Sequence, residues 1–369
     1  MRAVGIILAG GKNERMGDLT AIRATSAMPV GSCYRAIDFT LSNMTNSGID
    51  KVAVITQYNS RSLHDHLNSA KWWDLGSKQG GLFVFTPFLS NDNSFWFRGT
   101  ADSIYQNITF LKRSNEPYVI IASGDAVYQC DYNDILDDHI KKNADVTIVC
   151  KDMRDKDLRD FGVVEVDENN RMIDFEEKPV EPQSTIASLG IYVISRTLLI
   201  KLLETILTEA RYDLVNDIII RYRKQLNMYA YMFDGYWSTI NCVQSYYETN
   251  MDFLRREVRD VFLKDEPYIE TKPKDEPPAK YNAGANVQNA LVGSGGILNG
   301  YVEQSILFRR VFIGENSSVR NSIVMEGCYI GNDCVVENAI LDKEVVLSDG
   351  KVLIGQPGEP LIVRKSTVL

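Results

Sequence analysis

A glycine-rich segment with positive charge follows the first apolar run of the chain. Residues 10–17 read GGKNERMG and come directly after a β-type run at residues 4–8. Glycine lets the backbone approach a phosphate group, and Arg15 adds a rigid guanidinium fork. Open α/β sheets bind nucleotides at this end of a strand. The spacing matches neither the dinucleotide motif nor the P-loop, so a plain strand-to-helix turn remains an alternative to phosphate binding by Gly10, Gly11 and Arg15.

An aspartate follows a second apolar run in the same way. Residues 123–128 read SGDAVY, just beyond a run at residues 118–122. A carboxylate at the carboxyl end of a strand is well placed to hold Mg²⁺ against phosphate oxygens, so Asp125 is a candidate metal ligand. The structural alternative is that Asp125 caps the helix predicted near Tyr132.

A third set of polar residues could bind a sugar phosphate. Residues 175–179 read FEEKP, and residues 187–192 read ASLGIY. Glu177, Lys178 and Ser188 offer a carboxylate, an ammonium group and a hydroxyl to sugar and phosphate groups. A neighbouring acid and base such as Glu177 and Lys178 are also common on solvated surfaces, and that alternative stays open.

The sequence pattern of the first 262 residues predicts the strands and helices that position these candidate residues. Short β-branched runs alternate with helical stretches, which favours a mostly parallel sheet with helices on both faces. Apolar residues three and four apart mark the helices. The predicted strands are residues 4–8, 51–56, 118–122 and 145–150, and the predicted helices are residues 102–112, 132–142 and 245–256.

A change of composition separates this region from the rest of the chain. Residues 263–280 carry four prolines among alternating charges and cannot supply a continuous apolar face. We therefore predict an α/β domain at residues 1–262, a linker at residues 263–285 and a second domain at residues 286–369.

The second domain contains an internal repeat of 17 residues. Its three copies span residues 295–311, 312–328 and 329–345. Equivalent apolar positions recur in register, for example Val302, Val319 and Val336. Short strands at a fixed spacing bury their apolar edges by stacking on the next coil, and a period near 17 suits a triangular left-handed β-helix. An irregular β-sandwich is the alternative.

Charge and cysteine usage exclude several classes of function. The net charge of −9, without a basic run, argues against nucleic-acid binding. The six cysteines form no CxxC pair, which favours reduced structural thiols over a metal or redox site. The amino-terminal apolar run is far too short for a membrane span and leads into a glycine turn, so we expect a cytoplasmic protein without membrane association.

Nine ordered motifs together resemble the glucose-1-phosphate adenylyltransferase family along nearly the whole chain. The resemblance implies a Rossmann-like nucleotidyltransferase domain with a mostly parallel sheet, followed by a C-terminal left-handed β-helix. It also implies a reaction of ATP with glucose 1-phosphate that gives ADP-glucose and pyrophosphate for glycogen biosynthesis. The motifs are YRAIDF (34–39), LSN (41–43), NSGID (46–50), TQY (56–58), RGTAD (98–102), YQN (105–107), SGD (123–125), FEEKP (175–179) and GYW (235–237).

The resemblance further implies roles for individual residues. The implied nucleotide-binding residues are Gly10, Gly11, Arg15, Gly99 and Thr100, the implied metal ligand is Asp125, and the implied sugar-phosphate-binding residues are Tyr105, Gly162, Glu177, Lys178 and Ser188.

Two departures from the family pattern make the region less positive. Catalytic members resemble RAKPAVPFGGKYR where residues 23–35 read RATSAMPVGSCYR, so Thr25 and Cys33 replace lysines. The glycine loop of active members resembles GGxGxR. Here Asn13 replaces a glycine, and Glu14 brings a negative charge toward the phosphates.

A third departure concerns the metal. The family segment resembles GYWKDVGT where residues 235–242 read GYWSTINC, which puts Thr239 in place of an aspartate. A neutral hydroxyl is a much weaker Mg²⁺ ligand than a carboxylate, so Asp125 would hold the ion without its partner acid. Losing one charge-stabilising group costs about 10²–10³ in rate, so several losses together predict a drop of about 10⁴ or more.

The departures match the D-type regulatory subunit that the family pairs with a catalytic C-type subunit. This role requires no cofactor, and Mg²⁺ would enter only with a bound nucleotide. The expected partners are a catalytic subunit and ATP, ADP-glucose or glucose 1-phosphate, within a homo- or hetero-oligomer for which we expect a tetramer.

Three other functions remain as alternatives. An active nucleotidyltransferase could use a rearranged metal site that includes Glu14. A β-helix acyltransferase shares the coiled tail but generally needs a histidine base, and His64, His66 and His139 all lie outside residues 286–369. A structural scaffold without any ligand is the third.

Overall fold

A computed structural model describes residues 2–76, 80–88 and 96–369 of the chain. An α/β domain comes first, and a solenoid of short strands follows it. The strands of the first domain are β1 (Ala3–Leu8), β2 (Pro29–Val30), β3 (Tyr34–Arg35), β4 (Lys51–Ile55), β5 (Gly81–Phe85), β6 (Tyr118–Ser123), β7 (Ala126–Tyr128), β8 (Val146–Asp152), β9 (Gly162–Val166), β10 (Met172–Glu177), β11 (Ile186–Ser195), β12 (Met228–Met232) and β13 (Trp237–Thr239).

Helices connect these strands. The α-helices are α1 (Ala36–Asn46), α2 (Arg61–Leu67), α3 (Thr100–Gln106), α4 (Ile108–Lys112), α5 (Tyr132–Lys141), α6 (Arg196–Thr208), α7 (Val243–Asp252) and α8 (Arg256–Leu263). Shorter 3₁₀-helices span Glu14–Thr20, Thr25–Ala27 and Ala70–Trp73, and a π-helix spans Val215–Ile220.

The central sheet has a parallel half and an antiparallel half. Strand β1 pairs in parallel with β6 on one side and with β4 on the other, and β4 pairs in parallel with β5. Strand β11 runs antiparallel between β6 and β8, and β9 and β10 extend the sheet beyond it. The predicted α/β fold with a mostly parallel sheet is therefore confirmed, with an antiparallel edge that the sequence pattern did not predict.

Strand β1 is buried on both faces, as the centre of such a sheet requires. Val4 and Ile6 point into one apolar cluster, whereas Ala3 and Ile7 point into the other. Helices on the two faces cover these clusters, which explains why the strand reads as a continuous apolar run.

Two predicted helices are interrupted. The segment predicted at residues 102–112 forms α3 and α4, which meet at Asn107, whose side-chain amide donates to the Ser103 carbonyl at 2.9 Å. Such a side-chain bond competes with the helical backbone bonds. The segment predicted at residues 245–256 ends at Asp252, where the buried Phe253 turns inward against Phe262.

The carboxyl-terminal domain is a parallel-stranded solenoid, and it confirms the predicted register of the repeat. Val302 pairs with Val319 and Val319 with Val336, in successive coils. Pairings between strands of adjacent coils are parallel throughout the described solenoid, which excludes the β-sandwich. Its strands are β14 (Lys280–Tyr281), β15 (Asn286–Val292), β16 (Ile297–Leu298), β17 (Tyr301–Leu307), β18 (Phe312–Ile313), β19 (Ser318–Arg320), β20 (Ile323–Val324), β21 (Tyr329–Ile330), β22 (Val335–Glu337), β23 (Ala339–Leu341), β24 (Val346–Leu347), β25 (Val352–Ile354) and β26 (Leu361–Val363).

The proline-rich segment between the domains is anchored to the first domain. Residues 264–279 contain no helix or strand, and β14 begins inside the segment predicted as linker. The Glu270 backbone amide donates to the Ser42 hydroxyl at 2.8 Å, and its carbonyl accepts from the Trp73 indole at 3.1 Å. Ile269 is buried in the apolar cluster that both domains share.

That shared cluster surrounds a buried ion pair between the domains. Arg23, which follows the first 3₁₀-helix, meets Asp342 of the solenoid through two contacts of 2.7 and 3.0 Å. The two side chains are only 4% and 2% exposed. Ile306, Ile323 and Ile340 of the solenoid pack in the same cluster as Tyr246 of α7. The domains therefore share one core.

In the described part of the chain, each helix is too short or too polar to cross a lipid bilayer.

We expect Asp342→Asn to destabilise the protein by about 3–5 kcal/mol, because the substitution leaves the Arg23 charge buried without its counter-ion. Chemical denaturation followed by circular dichroism measures the loss. The matched control is Asp18→Asn, which breaks the exposed 2.7 Å pair with Arg364 and should have a much smaller effect. Equal effects of the two substitutions would contradict this role for the buried pair.

Candidate functional site

A cleft of about 840 Å³ lies at the carboxyl ends of β1 and β6. Parallel pairing of these strands brings their following loops to one edge of the sheet. The cleft is lined by many of the residues that the sequence singled out, which are Gly10, Gly11, Arg15, Thr25, Gly99, Thr100, Asp125 and Lys178.

The glycine loop after β1 is shaped by close packing. A Cβ atom on Gly10 would lie 3.2 Å from the Gln57 backbone nitrogen, which leaves little room for a side chain. Around Gly11 there is open space. The loop then closes through the Thr20 hydroxyl, which donates to the Asn13 carbonyl at 3.0 Å. Backbone groups of this loop can therefore face a ligand at close range.

Cations of this loop are already paired with carboxylates. Lys12 contacts Glu14 at 2.6 Å, so the acid that departs from the family pattern neutralises its neighbour. The Arg15 guanidinium lies 2.5 Å from the carboxylate of Asp160, which comes from the segment before β9. This contact raises the pKa of Arg15.

Asp125 lies between β6 and β7 and does not cap a helix. The α5 cap is Asp131, whose carboxylate accepts from the Asn133 amide at 2.8 Å, so the capping alternative for Asp125 is wrong. The Ser123 hydroxyl donates to the Asp125 carboxylate. Burial raises the pKa of Asp125, which is the effect expected for an acid without a nearby cation.

Thr239 lies beside Asp125 in the folded chain. Strand β13 pairs with β7 so that Thr239 is opposite Ala126, and the Ile240 amide donates to the Asp125 carbonyl at 3.0 Å. The position that the family motif gives to a second acid is thus next to the first one in space. Here it carries a hydroxyl.

The side chains present do not form a magnesium site of their own. Among the described residues, no group of three or more histidine, cysteine, aspartate or glutamate side chains could hold a metal ion. The Asp125 carboxylate accepts a hydrogen bond from the Ser123 hydroxyl, and the neighbouring strand carries Thr239 in place of an acid, whereas Mg²⁺ prefers charged carboxylate oxygens. An ion at this place would depend on the oxygens of a bound nucleotide.

Of the implied sugar-phosphate set, only Lys178 is among the residues that line the described cleft. Lys178 lines the cleft, and its ammonium group is 3.9 Å from Glu177, whose pKa is raised by burial. Glu177 pairs with Gly162 across β9 and β10. Ser188 lies 3.5 Å from the hydroxyl of Tyr192, which lines the cleft.

Tyr105, of the same implied set, belongs to an apolar cluster. Its ring packs against the apolar cluster beneath α3, together with Phe110. It does not line the cleft, so the structure gives no support to a direct contact between Tyr105 and a sugar phosphate.

Cys33 also lies outside the cleft. The hairpin of β2 and β3 carries it to a crevice of about 300 Å³ between the two domains, where its carbonyl accepts from Arg309 at 3.1 Å. Burial raises the pKa of the Cys33 thiol to about 11. Of the two positions interpreted as replaced lysines, Cys33 therefore lies in this crevice, whereas Thr25 lines the cleft.

Gly99 and Thr100 lie at the amino terminus of α3, and both line the cleft. A Cβ atom on Gly99 would lie 2.4 Å from the Tyr212 carbonyl oxygen, so this close approach requires glycine. The Thr100 hydroxyl donates to Asp213 at 3.1 Å and accepts from the Leu214 amide at 2.8 Å. Both residues therefore shape the wall of the cleft.

Sequence reasoning missed several residues that line the cleft. Arg98 and Tyr192 belong to quoted motifs, and their positions within them were the available signal. Arg98 contacts Asp102 at 2.7 Å and lies over the ring of Tyr212. Asp160 had no such signal, because a single acid in a charged stretch is normally a solvated surface residue.

Comparisons with known proteins agree with this geometry. A family model described as nucleotidyl transferase matches residues 4–256, and a model described as GlmU-like, C-terminal hexapeptide matches residues 277–359. The chain is 38% identical to a glucose-1-phosphate adenylyltransferase of Bacillus thuringiensis (strain Al Hakam) over 356 residues, which cover 95% of this chain and 94% of that protein. It is 36% identical to one of Fervidobacterium nodosum over 360 residues, which cover 96% of this chain and 86% of that protein. This chain belongs to the glucose-1-phosphate adenylyltransferase family.

Proposed function

We propose that the chain is a catalytically deficient, regulatory-type subunit of glucose-1-phosphate adenylyltransferase that acts with a catalytic subunit in glycogen biosynthesis. The family reaction is an in-line displacement at the α-phosphorus of ATP by a phosphate oxygen of glucose 1-phosphate. Two anions must meet in one cleft, so positioning and charge neutralisation supply most of the catalysis.

The observation that carries the proposal is the position of Thr239. It lies opposite Ala126 in the pairing of β13 with β7, one residue from Asp125, and it occupies the place where the family motif has a second carboxylate. Bound Mg²⁺ would neutralise the phosphates in a complete enzyme, but a single carboxylate without a second acid is poorly suited to hold it.

Thr25 adds a second deficit. It lines the cleft on the side of the glycine loop, where its hydroxyl brings no positive charge to the phosphates. A lysine ammonium at this place would stabilise the negative charge that builds up during transfer. From the loss of both groups we expect a reduction of about 10⁴ or more in rate.

Ligand binding does not need the complete set of charges. The glycine loop, the wall at Gly99 and Lys178 still surround a cleft large enough for a nucleotide. We therefore propose that ATP, ADP-glucose or glucose 1-phosphate binds without a required cofactor, and that the chain acts within an oligomer, as a tetramer with its catalytic partner.

We expect the purified chain to release pyrophosphate from ATP and glucose 1-phosphate at least about 10⁴-fold more slowly than a complete enzyme of the family. The double substitution Thr25→Lys, Thr239→Asp should raise the rate at least about tenfold, because it restores one phosphate-binding cation and one metal-binding acid. A coupled pyrophosphate assay measures both rates.

The matched control is Thr205→Lys, Thr208→Asp, which makes the same changes on exposed positions of α6. It should leave the rate unchanged. Robust turnover by the unmodified chain would contradict the proposal. A fall in rate after the cleft substitutions would instead favour an active enzyme with a rearranged metal site.

We expect the chain to copurify with a complete adenylyltransferase from the same cell when the two are co-expressed. The complex should also differ from the catalytic subunit alone in its substrate saturation curve, because a regulatory subunit changes the affinity of its partner. Native mass measurement and initial rates test the two parts. Independent migration with unchanged kinetics would leave a homo-oligomer and would refute the role as a partner.

A further inference from the structure

Ion pairs occupy all the cations that line the described part of the cleft. Lys12 pairs with Glu14, Arg15 with Asp160, and Arg98 with Asp102, at 2.5–2.7 Å, while Lys178 lies 3.9 Å from Glu177. A phosphate that enters must share or replace these carboxylates. The cleft therefore offers a triphosphate little uncompensated positive charge.

One of these pairs differs from the others because it crosses the cleft. Arg15 belongs to the segment after β1, whereas Asp160 belongs to the segment before β9, and both line the cleft. Lys12 and Glu14 are two residues apart on the same loop. Arg98 and Asp102 are likewise close in sequence. Only a contact between separate segments can hold two walls of the cleft together.

The cation next to Asp160 in sequence pairs with another acid, so it does not compete with Arg15 for Asp160. Arg159, the adjacent cation, is paired with Asp157 through contacts of 2.5–3.0 Å. Asp160 is 40% exposed and Arg15 is 53% exposed, so water and a ligand can both reach the pair. The carboxylate of Asp160 thus occupies the place on Arg15 that a phosphate oxygen would take.

We propose that Asp160 is a specificity-determining residue that acts as an internal anion on Arg15 and selects against ligands with highly charged phosphate groups. The inference rests on the proposed binding of nucleotides in this cleft. Each added phosphate group increases both the competition for Arg15 and the repulsion from Asp160. ATP is therefore disfavoured relative to ADP and AMP, and adenosine is unaffected.

The test is the substitution Asp160→Asn, which keeps the size of the side chain and removes its charge. Titration calorimetry of the full chain with ATP, ADP, AMP and adenosine, in buffer without Mg²⁺, gives four dissociation constants for each variant. The Kd for ATP should fall about fivefold, with smaller changes for ADP and AMP and none for adenosine. The gain should shrink as salt rises, because the pair is exposed.

Asp157→Asn is the matched control, since it removes the same charge from the same segment, and Asp157 forms its ion pair with Arg159 rather than with Arg15. It should change the Kd for ATP less than Asp160→Asn does. In an Arg15→Gln background, Asp160→Asn should have only a small effect, because the cation for which the ligand competes has gone. Thermal unfolding of each variant reports whether the fold is intact.

Three outcomes overturn the inference. Binding of ATP by the unmodified chain with an unchanged Kd in Asp160→Asn refutes the role of Asp160 and leaves the proposed function standing. An equal gain for adenosine and ATP shows an effect of shape rather than charge. Absence of nucleotide binding in both variants refutes the inference together with nucleotide binding itself.

Discussion

The parallel pairing of β1 with β6 is the contact on which the cleft depends. It brings Gly10 and Asp125 to the same edge of the sheet although they are far apart in sequence. Strand β13 then adds Thr239 beside Asp125 through its antiparallel pairing with β7. The backbone thus forms a cleft where open α/β sheets bind nucleotides, and the proposed function depends on the charges that line it.

The charged side chains of the cleft are the basis of the proposed loss of catalysis. We propose that the cleft lacks a cation at Thr25 and an acid at Thr239, and the cations that line its described part are paired with carboxylates of the same chain. A phosphate-transfer site needs positive groups that are free when the ligand arrives. A cation that must first leave an ion pair stabilises the transition state by less, because breaking the pair costs free energy. A ligand can still be bound by shape and by backbone groups. Binding without turnover is what a regulatory subunit requires.

The solenoid packs against the α/β domain close to the cleft. Arg23 lies two residues before Thr25 and is held by Asp342 of the solenoid inside a shared apolar core. The segment that leads into the cleft is therefore supported from the second domain. A buried pair of this kind couples the positions of its two partners, since separating them would leave charges without water or counter-ions.

The sequence by itself determined the two-domain fold, the 17-residue register and several residues of the cleft. Apolar periodicity indicates which faces are buried, and the ends of parallel strands indicate which loops lie at the same edge of the sheet. The positions of Gly10, Arg15 and Asp125 at the cleft could therefore be predicted. Only the tertiary structure decided that Cys33 belongs to the crevice between the domains while Thr25 belongs to the cleft, because a hairpin turns the chain between them. It also decided the pairing of Arg15 with Asp160, since a contact between distant segments depends on how the whole chain folds and leaves no trace in local spacing.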